Sequence, residues 1–172
     1  MPATSRNTPL NTQERYDNVV FPRGGGPGSL TGRGGGPNAA LGGPLFEKEC
    51  ASCHKFGTVG KSYGPDLTTI GTTMLRRDLL RAIFFPDEKV APKYQTTVIT
   101  TRDSRTIRGL VVSETGQTVV LKTAEAADPV TIQKAQIVRR TSDSNSVMPS
   151  DLPDKLGDQN ITHIVAYLMA GK

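Results

Sequence analysis

The chain has no tryptophan, only two histidines and only two cysteines, and aromatic residues make up 5% of it. A structural zinc site usually takes four ligands from two separated pairs. Here a single cysteine pair stands beside His54, and the other histidine, His163, is far away in sequence, so that kind of site is excluded. No stretch approaches the ~18 consecutive apolar residues of a membrane-spanning helix. The glycine-rich N-terminal region has no aromatics between its repeats to stack on bases, which argues against a nucleic-acid-binding arm. At 172 residues the chain is long enough for one domain plus appendages, and 35% hydrophobic content allows a modest core.

What is present is concentrated in one run, Cys50-Ala51-Ser52-Cys53-His54. A C-x-x-C-H run reads as a covalent haem attachment site. Two thiols three residues apart can each reach one vinyl group on the same porphyrin edge. The next residue then lies under the iron and offers an imidazole nitrogen as proximal ligand. A thioredoxin-like redox pair would need a βαβ setting, which the flanks do not supply. A plain disulfide or a chance match is the remaining alternative. A haem would also add a large flat apolar surface to a chain short of aromatics.

Residues 1–42 are punctuated by Gly and Pro, and Arg23-Gly-Gly-Gly-Pro27 recurs as Arg33-Gly-Gly-Gly-Pro37. Such composition buries no core and reads as an arm or linker. An arm of this kind could carry contacts in an oligomer or a larger complex. Residues 43–172 read as the folded domain. A short helix is expected over Leu45–Cys53, with Pro44 in its first turn. A Gly-rich loop follows from Phe56 to Ile70 and contains Gly64-Pro65-Asp66-Leu67. A second helix is expected over Thr73–Phe85, with Leu75, Leu79, Ala82 and Ile83 on one stripe and Arg76, Arg77 and Arg81 facing away. Pro86 ends it.

Over about residues 94–140 the period changes to β-branched runs, such as Thr97–Thr101, Thr106–Val112 and Thr118–Lys122, separated by turn residues. These predict a small antiparallel meander of four or five strands. The chain then turns polar, passes Val147-Met148-Pro149 and ends in a helix with Ile161, Ile164, Val165 and Leu168 at i, i+3, i+4, i+7. His163 is expected on the opposite, solvent-facing side of that helix. The net charge of +5 is uneven: residues 93–141 hold eight Lys/Arg against four Asp/Glu, and residues 142–172 hold two against four. Such a distribution either steers a charged partner or is simply solvated surface.

The iron's second axial position has five candidate answers: Met74, Met148, Met169, His163, or no protein ligand. Met148 is favoured because it lies in a loop stiffened by Pro149, able to fold back over the far haem face. Met74 lies near the start of an amphipathic helix, Met169 in the last turn of the chain. An open site is the runner-up.

Together, Cys50–His54 after its entry helix, Gly64-Pro65-Asp66-Leu67, Met148-Pro149 and Ile164-Val165-Ala166-Tyr167-Leu168 resemble a class I c-type cytochrome. The β excursion is similar to the haem-binding domain type described from planctomycetes and verrucomicrobia, which commonly closes large predicted sugar or alcohol dehydrogenases. The resemblance covers about residues 43–170. It implies a mainly α cytochrome c fold with an inserted small antiparallel β-sheet at about residues 94–140, and Phe46 meeting Ala166–Tyr167 where the first and last helices cross. It implies one covalent haem c on Cys50 and Cys53, with the iron ligated by His54 and Met148. The Pro65 carbonyl would accept a hydrogen bond from the His54 ring and so orient it. The implied function is an electron carrier, or the electron-transfer domain of a dehydrogenase, rather than an enzyme. It would pass single electrons between redox protein partners, such as a periplasmic dehydrogenase and a terminal acceptor, with no nucleic-acid partner. Attachment of this kind implies a location in the periplasm or otherwise outside the cytoplasmic membrane. The polar run Met1–Thr12 has no leader character. A secretory leader is therefore expected upstream in the gene, or the chain is a piece of something longer. Two other functions stay open: a haem-bearing subunit of a larger redox assembly, and a c-haem enzyme or sensor with an open sixth site. Peroxidase work would want a distal base, and only His163 could offer one.

Overall fold

The first helix, α1 (Thr12–Val20), stands inside the region expected as an arm. The computed structural model describes residues 11–21, 36–126 and 128–171. The Arg23–Pro27 repeat and most of Arg33–Pro37 lie outside the described residues. Asn11 and Glu14 form a reciprocal capping box: each side chain accepts the other's backbone N–H at 2.9 Å. Tyr16 and Val19 are buried, and Tyr16 meets Phe84 and Phe85 edge-on at ring-centroid separations of 5.9 and 5.7 Å. Arg15 ties this helix to the C-terminal part of the chain, binding Asp158 at 2.9 Å and also Asp154 and the Pro153 carbonyl.

Helix α2 (Ala39–Glu49) starts earlier than expected, with the Asn38 side chain capping the Ala40 N–H at 2.9 Å. Pro44 therefore lies inside the helix rather than in its first turn. Gly42, inside the helix, lies at a close crossing. An ideal Cβ there would fall 2.1 Å from the His163 carbonyl oxygen and 2.6 Å from Tyr167 Cβ. Here α2 crosses the helix that carries His163 and Tyr167 backbone to backbone, which only glycine allows. Phe46 is fully buried at this crossing, and Phe46, Phe56 and Tyr167 form a ring cluster with centroids 4.9–5.9 Å apart.

A two-residue hairpin, β1 (Lys55–Phe56) with β2 (Val59–Gly60), leads through the Gly64–Leu67 turn to α3 (Ile70–Thr73) and α4 (Arg76–Phe84). The single helix expected over Thr73–Phe85 is thus broken at Met74 and Leu75, which are extended. The buried face of α4 is Leu79, Leu80, Ile83 and Phe84, while Leu75 is 58% exposed. Arg76, expected to face away, is half-buried.

After a 3₁₀ turn at Pro92–Tyr94 the chain enters a five-stranded antiparallel sheet: β3 (Thr96–Thr101), β4 (Thr106–Glu114), β5 (Thr118–Lys122), β6 (Val130–Gln133) and β7 (Ile137–Asp143). The spatial order is β6-β5-β4-β3-β7, so the last strand returns beside the first, with Thr96 opposite Asp143. Ile99, Val119, Leu121 and Ile132 make a core of their own under the sheet. The chain ends in α5 (Leu152–Leu156) and α6 (Asp158–Ala170). The larger core joins α1, α2, α4 and α6 through Tyr16, Val19, Phe46, Leu79, Leu80, Ile83, Phe84, Ile161, Ile164, Val165 and Leu168.

The fold class differs from the one expected. The chain is mixed, 39% helical and 24% strand, rather than a mainly α cytochrome c fold. The physical reason is that the sheet is more than a decoration on a helical body. Its β-branched runs form five hydrogen-bonded strands over a separate apolar core, while several helices are only one or two turns long.

Candidate functional site

The Cys50–His54 run is held by backbone hydrogen bonds on both sides. The Cys50 amide donates to the Phe46 carbonyl at 2.8 Å and closes α2, and the Cys53 and His54 amides both donate back to the Cys50 carbonyl. Downstream, Lys61 donates to Ala51 at 2.9 Å and Gly64 to Cys53 at 2.7 Å. The five residues thus form one tight turn between α2 and the β1–β2 hairpin. The two thiols are not joined to each other, and both are half-buried. Burial pushes the Cys50 thiol up to about 11, with smaller contributions from the charges of Glu49 and Cys53.

The His54 ring is fixed from two directions. Its Nδ1 lies 2.9 Å from the Pro65 carbonyl oxygen, and only the ring can donate in that pair. The structure so brings together two residues far enough apart in sequence to need the intervening hairpin. Gly64 lies flat against the ring. An ideal Cβ there would fall 2.8 Å from Cε1, 3.0 Å from Nδ1 and 3.3 Å from Nε2. With Nδ1 engaged, Nε2 is the nitrogen left to accept a ligand, and it has no hydrogen-bond partner among the described residues.

Met148 lies in the loop between β7 and α5 and packs, half-buried, on the helical core, whose rim also carries Cys50, Ala51, Leu67 and Ile70. Two hydrogen bonds position this loop: the Ser146 amide donates to Asp87 at 2.7 Å, and the Met148 amide donates to the Ser146 hydroxyl at 3.1 Å. Met74 is 37% exposed at the break between α3 and α4. Met169 is half-buried, and its backbone abuts Gly71. His163 is not solvent-facing: it is 5% exposed, and its Nδ1 accepts the Asn38 N–H at 3.0 Å. The expectation failed because α6 is covered on more than one side, by α2 as well as by α3 and α4, so its outer stripe is also interior. His163 is a residue of the α2–α6 junction.

The sheet reaches this site directly. The Lys122 ammonium donates to the Ser62 carbonyl, and Tyr63 is buried beside it. The Tyr63 hydroxyl is held above its ordinary range by burial first, then by the charges of Glu125 and Cys53, with Arg108 opposing. Residues of β4, of β5 and of the turn after β5 thus flank the attachment turn on its Tyr63 side.

The donor set suits a porphyrin iron. Two unpaired thiols precede an imidazole whose tautomer is set, a thioether borders the same core, and an ideal Cβ at position 64 would intrude on the ring. Away from these donors, at the start of α4, Nη2 of Arg76 is enclosed with no hydrogen-bond partner among the described residues. Among the described residues no three His, Cys, Asp or Glu side chains form a group that could hold a bare metal ion. Among the described residues no helix is long and apolar enough to cross a membrane. No protein-family model matches the chain, and no curated protein is a significant match to it.

Proposed function

We propose that this chain holds one haem c, covalently, through Cys50 and Cys53, and relays single electrons between a donor and an acceptor protein outside the cytoplasmic membrane. The observation that carries this reading is the His54 ring. Its Nδ1 is engaged by the Pro65 carbonyl 2.9 Å away, and its Nε2 is left over directly after two unpaired cysteines. Bound there, the group would supply a ferric/ferrous couple for one-electron exchange.

The chain's own part is positional. Pro65 fixes the tautomer of His54 and leaves Nε2 as the nitrogen that can accept a ligand. Gly64 leaves the ring room to lie in one orientation. Met148 would offer the iron a soft sulfur, a ligand type that favours the reduced state. The Asp87–Ser146–Met148 hydrogen bonds hold that loop in place and would limit its rearrangement around a bound group. The resemblance to class I c-type cytochromes supports the same reading and suggests redox proteins as partners, a dehydrogenase among the donors. Contacts of that kind are small and transient.

The test is the exported full chain, made in cells able to attach haem. The expected product is red and heavier than the polypeptide by one iron porphyrin. Neither property should survive in the Cys50→Ala/Cys53→Ala chain. Met148→Ala should abolish the weak long-wavelength band of iron–thioether bonding in the ferric spectrum. A colourless wild-type protein with the mass of the bare polypeptide would overturn the proposal.

A further inference from the structure

β7 is an end strand of the sheet, bordered by β3 on one side and by no strand on the other. Residues Val138–Ser142 are all exposed. Among the described residues nothing hydrogen-bonds the outer edge of β7 over Val138–Asp143. The run Arg139–Asp143 pairs with β3 in unbroken register, so the opposite edge presents a regular row of N–H and C=O groups. Natural sheets usually blunt such an edge with lysine, proline, a bulge, short length or a covering element. β6, at the other end of the sheet, is only 4 residues long. β7 is 7 residues long and has neither lysine nor proline. Its one irregularity lies at its start, where a register shift leaves Val138 unmatched on β3. Val138 is also 66% exposed, an apolar β-branched side chain free to pack on an added strand.

The charges along this edge say what would pair with it. Arg139 is exposed and makes no ion pair among the described residues. Arg102 is anchored at the entry to the strand, its Nε donating to the Ala135 carbonyl at 3.0 Å, and it too meets no carboxylate. Asp103, beside it in the chain, is taken by Arg105 at 2.7 Å. Arg140 and Lys134 share the single carboxylate of Glu114. At the far end of the strand Asp143 is matched by Arg108 at 2.6 Å. With these matched pairs set aside, Arg102, Lys134, Arg139 and Arg140 stand against Glu114 alone. The edge therefore carries a positive excess that the chain leaves uncompensated.

We propose that the outer edge of β7 receives an extended, acidic segment of a protein partner as an added strand. Main-chain hydrogen bonds to the open edge supply affinity, and alternate side chains supply selectivity. Carboxylates on the incoming strand would meet Arg139 and the shared positive charge of Arg140 and Lys134, where guanidinium forks bind them well. A second copy of this chain is a poorer occupant, because pairing two β7 edges brings two positive excesses together, and like charge across an interface costs affinity. The docking edge is independent of any group held at Cys50–His54. It does place the partner on the strand that runs directly into the loop of Ser146 and Met148.

The test titrates the full chain with a fluorescent peptide that matches β7 in length and alternates glutamate with valine. Two relatives of the peptide serve as comparisons: one with lysine in place of glutamate, and one with the glutamates kept but alternate backbone nitrogens methylated on the edge-facing side. The glutamate peptide should bind, more weakly as salt rises, and should slow amide exchange at alternate residues of Val138–Ser142. The lysine and methylated peptides should each bind about tenfold more weakly or worse, since one loses the charge match and the other the main-chain bonds. Arg139→Glu should weaken the glutamate peptide by about tenfold, whereas Lys48→Glu, the same charge change on α2, should alter it by less than about twofold because distant charges are screened. Failure of the glutamate peptide to bind would overturn the proposal, as would binding without protection of β7. Equal binding of the methylated peptide would mean that charge alone is read and no strand is added. A dimer of the chain that protects β7 in the absence of peptide would make a second copy the occupant and overturn the acidic partner.

Discussion

A methyl group at position 64 has nowhere to go. It would lie within 2.8–3.3 Å of three atoms of the His54 ring, which is itself tied to the Pro65 carbonyl. Gly64→Ala should therefore destabilise the chain by about 1–3 kcal/mol, the usual range for overpacking a fixed site. Urea unfolding of the chain without cofactor would measure it. A change below ~0.5 kcal/mol would mean that the ring swings freely, and that Pro65 does not hold it. The same site shows what single residues disclose in a sequence. Cys50, Cys53 and His54 announce themselves by spacing, because the proposed covalent attachment needs those atoms at those intervals. The tie from His54 to Pro65 follows only from the resemblance, since a backbone carbonyl has no signature of its own. The burial of Arg76 gave no signal, because charged residues on an amphipathic helix usually face water, and which face is buried depends on a helix break at Met74–Leu75 that the periodicity hides.

At the scale of elements, the α2–α6 crossing turns on one hydrogen atom. Gly42→Ala would force a Cβ to 2.1 Å from the His163 carbonyl and should destabilise by about 3 kcal/mol. Gly43→Ala, whose Cβ would meet only the Tyr167 ring at 3.4 Å, should be neutral or stabilising by up to ~1 kcal/mol through helix propensity. Thermal unfolding of the pair distinguishes a close crossing from a flexible hinge, which would tolerate both. In the sequence, Gly42-Gly43-Pro44 looks like the end of a linker, because close approach depends on the partner helix and not on the glycine. The capping box of α1, by contrast, is written plainly as Asn11-x-x-Glu14 and was obscured only by the glycine-rich run after it. The strands were legible because β-branched alternation depends on local sequence. What that pattern could not say is that the sheet buries its own core and so changes the fold class. Glu114 on β4 ties strands together by taking Arg140 of β7 at 2.9 and 3.0 Å and Lys134 at 2.8 Å. The Arg140 hydrogen bonds, then those of Lys134, hold the Glu114 carboxyl down at about 2, against an ordinary 4.5. A carboxyl depressed by folding stabilises the protein above its ordinary value and loses that effect as the pH falls through the folded one. Glu114→Gln should accordingly be less stable than wild type at neutral pH. The gap should close between about pH 4.5 and about pH 2. Melting curves across that range check it, and a gap independent of pH would rule out the ion cluster as its source.

For the whole molecule, the governing feature is how the sheet joins the rest. Thr96 and Asp143, the first and last residues of its strands, are paired across β3 and β7. Neighbouring Cα atoms in such a pair are only about 4.5–5.5 Å apart. Excising residues 97–142 and bridging the gap with a short glycine turn should leave α1–α6 able to assemble. The shortened chain should unfold cooperatively with native-like helical circular dichroism, whereas a non-cooperative melt would show that the helices depend on the sheet. Arg15 would still clamp α1 to Asp158, and the larger core would keep all of its members. What would change is access, since Lys122 would no longer cover Ser62 and Tyr63 would lose its neighbours Arg108 and Glu125. The sheet is in this sense a cassette, spliced in at a point where chain entry and exit coincide. Its outward strands can be rewritten, lengthened or exchanged while the Cys50–His54 turn stays as it is.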